Sequence, residues 1–159
     1  MAQVILICGK LCSGKTTYAE ALCACHKAAL LSVDEIMLAL FGQHAGDKHD
    51  EYTQKIKAYL FGKSLKLLDA GVDVVLDWGF WTRADRSDAK TFYGMHQIPC
   101  ELHYIDISGD VWRARLDQRN RAVLSGEANA YFVDDNLAAK FHAIFEPPEK
   151  EEINVPVRR

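Results

Sequence analysis

The stretch Val4-Ile5-Leu6-Ile7-Cys8, followed directly by Gly9-Lys10-Leu11-Cys12-Ser13-Gly14-Lys15-Thr16, decides the fold of this chain. The first part is a continuous apolar run, as in a strand that is buried on both faces of a sheet. Beyond Gly14, a helix is predicted because residues recur at the spacing of one helix face, at Ala19, Leu22, Cys23 and His26. The stretch therefore predicts a buried strand, a glycine-containing turn and a helix in direct succession.

The turn matches the P-loop pattern G-x-x-x-x-G-K-[ST] at every fixed position. Gly9 allows a sharp turn, and Gly14 lets the backbone approach a phosphate closely. Backbone N–H groups and the helix N-terminus form an anion site, while Lys15 reaches the β- and γ-phosphates and the Thr16 hydroxyl can bind Mg²⁺. The predicted nucleotide-binding residues are Gly9, Leu11, Cys12, Ser13, Gly14, Lys15, Thr16 and Thr17.

Composition narrows the class of protein. The chain has 159 residues and a net charge of −3, which argues against broad, sequence-independent wrapping of nucleic acid. No apolar run is long enough to cross a bilayer, and Met1-Ala2-Gln3 carries no basic leader, so no membrane partner is expected. Five cysteines without a CxxC pair suit reduced thiols, and the expected location is the cytoplasm.

Strand and helix signals alternate along the chain, which predicts one α/β domain over residues 1–159 with a largely parallel sheet. Further strands are predicted at 30–33, 72–77, 99–107 and 153–155. Helices are predicted at 33–41, 51–70, 82–96, about 109–125, and after Asp134 or Asp135. The residues between 42 and 50 read as a polar solvent loop, with a flexible flap over an acceptor as the minor alternative.

Two aspartates follow predicted strands. Asp34 lies in the S-x-x-E stretch Ser32-Val33-Asp34-Glu35, where a carboxylate could accept the proton of an attacking hydroxyl or could simply charge the first turn of a helix. Asp77 ends the apolar run 72–76, as a Walker B acid does, and could hold Mg²⁺ or cap the next turn. The residues alone leave both alternatives open for each carboxylate.

Arginines occur in two groups. Arg113, Arg115, Arg119 and Arg121 lie on the helix after the fourth strand, where small kinases carry a lid. Arg115 and Arg119 share a helix face and could close on phosphates, although a solvated face paired with Asp110 and Asp117 is the alternative. Arg83 and Arg86 follow the aromatic residues Trp78, Phe80 and Trp81. They could grip an anionic group of an acceptor while Trp78 stacks on a planar one, or the rings could pack in the core.

A guanine-specific switch needs an N-K-x-D base contact and a D-x-x-G segment, which the sequence lacks, and a motor needs more chain; a small phosphotransferase remains. The P-loop, the stretches 31–36 and 74–81, and Phe145-Glu146-Pro147-Pro148 resemble the zeta-toxin-like, chloramphenicol-phosphotransferase-like and polynucleotide-kinase-like group of small P-loop ATPases. This resemblance implies a three-layer α/β/α sandwich with a five-stranded parallel sheet of order 2-3-1-4-5. It also implies ATP as donor, Asp34 as base, and Arg115 or Arg119 as the lid arginine.

The leading functional prediction is an ATP- and Mg²⁺-dependent kinase that acts on a hydroxyl of a small molecule, such as a nucleoside, sugar or antibiotic. A polynucleotide 5′-hydroxyl kinase is the first alternative, and an ATP-binding regulator without transfer activity is the second. The predicted catalytic residues are Lys15, Asp34, Arg115 and Arg119, the metal ligands are Thr16 and Asp77, and the acceptor residues are Asp34, Trp78, Arg83 and Arg86.

Overall fold

The computed structural model describes residues 1–158, which form a five-stranded parallel sheet of order β2-β3-β1-β4-β5. The predicted strand order is thereby confirmed. The strands are β1 (Val4–Gly9), β2 (Ala29–Ser32), β3 (Val74–Gly79), β4 (Cys100–Asp106) and β5 (Val155–Arg158). The helices are α1 (Lys15–His26), α2 (Val33–Phe41), α3 (His49–Asp69), α4 (Arg83–Met95), α5 (Gly109–Leu124) and α6 (Asp135–Ile144).

The central strand β1 shows why the domain has three layers. All its residues are buried, and successive side chains point to opposite faces of the sheet. Leu6 and its even-numbered neighbours pack against Leu68 of α3 and Ala89 of α4. Ile5 and Ile7 pack on the other face, against Ala19 of α1. Helices therefore cover both faces of the sheet, as the resemblance implied.

Hydroxyl and carboxylate side chains start several helices close to the carboxyl ends of the strands. The Ser32 hydroxyl accepts a hydrogen bond from the Glu35 N–H at 3.3 Å, which confirms the predicted cap and begins α2 immediately after β2. Thr82, Ser108 and Asp134 cap α4, α5 and α6 in the same way. The Ser32 cap places Asp34 at the carboxyl-terminal ends of the strands, where the P-loop also lies.

Most element boundaries lie within two residues of those predicted, and the differences include the start of α3 and the last strand. The 42–50 segment contains a short 3₁₀ turn at Gly46–Lys48 and leads into α3 at His49, two residues before the predicted start. The last strand is Val155–Arg158, and it pairs with β4 from His103 onward. Pro156 lies within β5, which is tolerated because β5 is an edge strand. None of the helices within residues 1–158 has the length and apolarity that a membrane span requires.

The structure corrects the role predicted for Arg86. Its side chain is 1% exposed, and its guanidinium donates to the Glu152 carboxylate at 2.8 Å and to the Glu146 carbonyl at 2.8 Å. A further hydrogen bond reaches the Phe80 carbonyl at 3.2 Å. Arg86 thus ties α4 to the segment that leads into β5, and its guanidinium is not available to grip an acceptor.

Replacing Arg86 should therefore reduce stability. Arg86→Met removes the guanidinium donors to the Glu152 carboxylate and to the Glu146 and Phe80 carbonyls. Because Glu152 is 20% exposed and still accepts from the Glu149 N–H, the loss should lie near the lower end of the roughly 3–5 kcal/mol expected for breaking a buried ion pair. Urea unfolding should show this loss. The control is Arg83→Met, whose guanidinium is 65% exposed and 3.7 Å from Glu149, and which should change stability by less than about 1 kcal/mol. Equal stability of the two variants would contradict the assignment.

Candidate active site

The P-loop backbone has the curvature of an anion site. Cys12 and Gly14 both adopt left-handed conformations, with φ of 57° and 92°, and such residues alternating with right-handed ones turn successive N–H groups toward one point. Gly9 is needed for a second reason, because a Cβ atom there would lie 2.7 Å from the Ser13 hydroxyl and 2.9 Å from the Ile105 carbonyl. The loop can therefore fold against β4 only with glycine at this position.

Two tryptophan side chains hold carbonyl groups of the loop. The Trp81 indole donates to the Gly9 carbonyl at 3.1 Å, and the Trp112 indole donates to the Leu11 carbonyl at 2.8 Å. Each ring comes from a different element, the turn after β3 and the first turns of α5. Because these carbonyls are already engaged by donors from outside the loop, the loop conformation is fixed by the surrounding protein.

The Lys15 side chain folds back onto the P-loop. Its ammonium donates to the Lys10 carbonyl at 2.6 Å. Burial lowers the pKa of Lys15 below its ordinary value, while the negative charges of Asp77 and Asp34 act in the opposite direction. An added phosphate would supply further negative charge next to this ammonium, so a nucleotide would favour its charged form.

Arg115 and Arg119 turn toward the P-loop, on the helix face that the sequence predicts. Arg115 donates to the Ser13 carbonyl at 2.9 Å, and Arg119 donates to the Cys12 sulfur at 3.4 Å. The Nε atom of Arg119 is buried without a hydrogen-bond partner among residues 1–158. A half-buried guanidinium with a buried, unused N–H donor is suited to an incoming phosphate oxygen.

The other two arginines of α5 face elsewhere. Arg113 pairs with Asp135 at 3.2 Å and lies over the Trp112 ring, with 58% of its side chain exposed. Arg121 donates to the Asp117 carbonyl one turn earlier on its own helix. The solvated charged face that was the alternative for the whole group therefore describes Arg113 and Arg121.

Thr16 and Asp77 meet at the base of the site. The Thr16 hydroxyl donates to the Asp77 carboxylate at 2.7 Å, and Asp77 is 7% exposed at the end of β3. A hydroxyl and a carboxylate are hard oxygen ligands of the kind that Mg²⁺ selects. Residues 1–158 contain no cluster of three or more His, Cys, Asp or Glu side chains that could hold a metal. This pair fits a magnesium ion that takes its other ligands from phosphate and water.

Asp34 lies near the same edge of the sheet on the first turn of α2, and its side chain reaches solvent. Partial desolvation raises the pKa of its carboxyl above the ordinary value, and the negative charge of Asp77 raises it further. Lys15, Arg119 and His49 act in the opposite direction. An accessible carboxyl with a raised pKa is suited to accepting a proton.

The remaining predicted acceptor residues have different environments. Trp78 donates its indole N–H to the Leu31 carbonyl at 3.0 Å, and its ring packs edge-on against Phe61. Trp78 also lines a depression of about 200 Å³ between α3 and α4, together with Gln54, Lys57, Ala58, Phe61, Phe80, Asp85 and Asp88. Arg83 is exposed, and its backbone N–H donates to the Glu146 carboxylate at 2.7 Å. The structure does not bring Trp78, Arg83 and Arg86 together as one acceptor-binding group.

Most of the chain matches a known protein family. A family model described as an AAA domain, AAA_33, matches residues 4–148. The chain belongs to the AAA_33 family. No curated protein matches this AAA_33 protein significantly.

Solved structures share the fold at low sequence identity. A candidate kinase from Chloroflexus aurantiacus j-10-fl is 18% identical with a TM-score of 0.74, and the match covers 99% of this chain and 88% of that one. Kti12 from Chaetomium thermophilum, solved with ADP-AlF3, is 16% identical with a TM-score of 0.71, with 98% and 88% covered. A gluconokinase from Sinorhizobium meliloti 1021 is 18% identical with a TM-score of 0.64, with 98% and 82% covered. The AAA_33 protein therefore has the fold of P-loop kinases.

Sequence reasoning missed the part that Trp81 and Trp112 play at the P-loop. The sequence pattern groups Trp81 with Trp78 and Phe80 on the acceptor side, and it predicts no role for Trp112. The only signal was position, because Trp112 occurs in the first turn of the predicted lid helix, where an indole N–H can reach the loop. Nothing in the sequence names the Leu11 carbonyl as its partner.

Removing the hydrogen bond from the Trp112 indole to the Leu11 carbonyl should weaken nucleotide binding. Trp112→Phe keeps a ring at the site but loses the donor to the Leu11 carbonyl. Since one hydrogen bond contributes about 0.5–1.5 kcal/mol, the Kd of Mg·ATP should rise roughly two- to tenfold by calorimetry. Trp78→Phe is the matched control, because that indole donates to β2 and not to the P-loop. Equal affinities of the two variants for Mg·ATP would show that the Trp112–Leu11 hydrogen bond does not shape the anion site.

Proposed function

We propose that this AAA_33 protein is an ATP-dependent phosphotransferase that moves the γ-phosphate to a hydroxyl of a small molecule. The observation that carries the proposal is the position of Asp34, an accessible carboxyl that interacts electrostatically with both Lys15 and Arg119. A second carboxylate, Asp77, is engaged with Thr16. Two separate carboxylates beside one anion site support a division between proton acceptor and metal ligand.

In the proposed reaction the P-loop N–H groups and Lys15 hold the β- and γ-phosphates. Mg²⁺, when bound beside Thr16 and Asp77, would neutralise charge on the phosphate oxygens. Asp34 accepts the proton of the acceptor hydroxyl while that oxygen forms a bond to the γ-phosphorus, and the bond from this phosphorus to the bridging oxygen breaks to leave ADP. Arg115 and Arg119 stabilise the negative charge that spreads over the transferred group.

The charges of the site favour a small acceptor over a polynucleotide. A strand needs a basic path, and Arg86, one of the arginines that could have provided one, is buried against Glu152. The net charge is −3. All five cysteines are free thiols, which supports work in a reducing compartment such as the cytoplasm.

The function is tested by ADP release from Mg·ATP with a panel of acceptors. The panel contains uridine, D-glucose, D-gluconate, streptomycin, chloramphenicol and a 5′-hydroxyl oligothymidylate. One acceptor should stimulate turnover, and Asp34→Asn should lower that stimulated kcat by about 10²–10⁴-fold without changing the Kd of ATP. Lys15→Ala should lose nucleotide affinity as well.

A pH profile then assigns the base. Because the pKa of Asp34 is raised from its ordinary value of 3.8, its carboxylate should be lost on acidification at a higher pH than for an ordinary aspartate. On acidification, the stimulated rate of the wild type should therefore begin to fall at a pH above that at which an ordinary aspartate is protonated. The residual rate of Asp34→Asn should not show this fall. ATP binding without stimulation by any acceptor, together with unchanged basal hydrolysis in Asp34→Asn, would instead indicate a regulator.

A further inference from the structure

The segment Ala130–Val133, here called the strap, connects α5 to α6 and is held from the α2–α3 side of the domain. The Gln43 amide donates to the Ala130 carbonyl at 2.7 Å and accepts from the Phe132 N–H at 3.1 Å. The Gln43 side-chain amide thus makes one donated and one accepted hydrogen bond to the strap, the same pair that the backbone of a neighbouring strand would make. They attach the strap to the loop between α2 and α3, although Gln43 lies far from it in sequence.

A second amide fixes the end of the strap to the helix that carries the predicted lid arginines. Asn120 of α5 donates to the Val133 carbonyl at 2.6 Å and accepts from the Val133 N–H at 3.0 Å. Asn120 follows Arg119, which contacts the P-loop at Cys12. The strap therefore joins the phosphate side of the site to the α2–α3 side.

Tyr131 lies between Ala130 and Phe132, the two residues that Gln43 holds, and its ring points inward. Its ring packs on the cluster formed by Val33, Met37 and Leu60. The edge of the His49 ring meets it at a centroid distance of 6.2 Å. The Tyr131 hydroxyl is buried and has no hydrogen-bond partner within residues 1–158. Because buried hydroxyls are normally paired, a lone one at a candidate site indicates a ligand that supplies the partner.

The Tyr131 hydroxyl lies within the electrostatic range of the Asp34 carboxylate. Burial raises the pKa of the Tyr131 hydroxyl, and the charge of Asp34 raises it further. The two side chains are thus close enough to interact electrostatically, yet the hydroxyl does not hydrogen bond to that carboxylate. A group placed between them could donate to Asp34 and accept from Tyr131.

We propose that Tyr131 is an acceptor-positioning residue, which donates a hydrogen bond to an oxygen of the acceptor beside the hydroxyl that Asp34 deprotonates. This inference rests on the proposed function. The class of acceptor follows from the donors present. Tyr131 offers a neutral hydroxyl, and Arg86, the buried cation once expected to grip an acceptor, is engaged with Glu152. The structure therefore favours a neutral molecule with neighbouring hydroxyl groups over an anionic acceptor.

The test compares Tyr131→Phe with Tyr59→Phe, a matched control whose tyrosine is 66% exposed on α3. Uridine, D-glucose and chloramphenicol are the neutral probes, D-gluconate is the anionic one, and ADP release is measured. We expect a neutral probe to stimulate the wild type. Tyr131→Phe should raise the KM of that probe about tenfold, as loss of one well-placed hydrogen bond does. Its KM for ATP and its acceptor-free hydrolysis should not change, and Tyr59→Phe should match the wild type throughout.

Thermal unfolding separates this role from a structural one. Because the Tyr131 hydroxyl has no hydrogen-bond partner in the described part of the chain, residues 1–158, Tyr131→Phe should be at least as stable as the wild type. A loss of stability would indicate a structural hydroxyl. Gln43→Ala, which frees the strap, should also raise the acceptor KM.

An unchanged acceptor KM in Tyr131→Phe, with an active wild type, overturns the inference and leaves the proposed function intact. D-gluconate as the sole stimulating acceptor overturns the neutral class. If no acceptor stimulates wild-type protein that binds ATP, the proposed function fails, and the inference fails with it.

Discussion

The hydrogen bond between Thr16 and Asp77 is the interaction on which the site depends. It joins the first turn of α1 to the end of β3 over 2.7 Å, and thereby fixes the P-loop relative to the neighbouring strand. Since β2 pairs with β3 up to Ser32 and Asp77, the same edge also carries the cap that begins α2. Asp34 follows that cap by two residues. One contact between α1 and β3, together with the pairing of β2 and β3, thus brings the phosphate site, the proposed metal ligands and the proposed base together.

Electrostatics distinguishes the two carboxylates at this edge. Asp77 is nearly buried and bonded to Thr16, whereas Asp34 is accessible and lies within the field of Asp77. A second negative charge nearby raises the pKa of Asp34, and Lys15 opposes this effect. A carboxylate whose proton affinity is raised is a better proton acceptor than an ordinary aspartate. This arrangement agrees with the proposed roles of Asp34 as base and Asp77 as metal ligand.

Local sequence could predict those features whose partners are close along the chain or follow from strand order. The strand, turn and helix around Gly9 to Thr16 and the cap at Ser32 are of this kind. The environment of Arg86 could not be predicted from the sequence. An arginine in the first turn of a helix gives the same sequence pattern whether it faces solvent or pairs with Glu152, 66 residues away. Tyr131 lies in a segment without periodicity, and its position depends on two amides from distant elements. Such long-range pairing leaves no local pattern to find.

The fate of the γ-phosphate tests the central claim most directly. Mg·ATP carrying ¹⁸O in its γ-phosphate would be incubated with a low-molecular-weight metabolite extract, with wild-type protein and with Asp34→Asn, and followed by mass spectrometry. The account predicts that label appears in a phosphomonoester of an organic hydroxyl compound with the wild type and is strongly reduced with the variant. Recovery of all label in ATP and inorganic phosphate, with no difference between the two proteins, would contradict it.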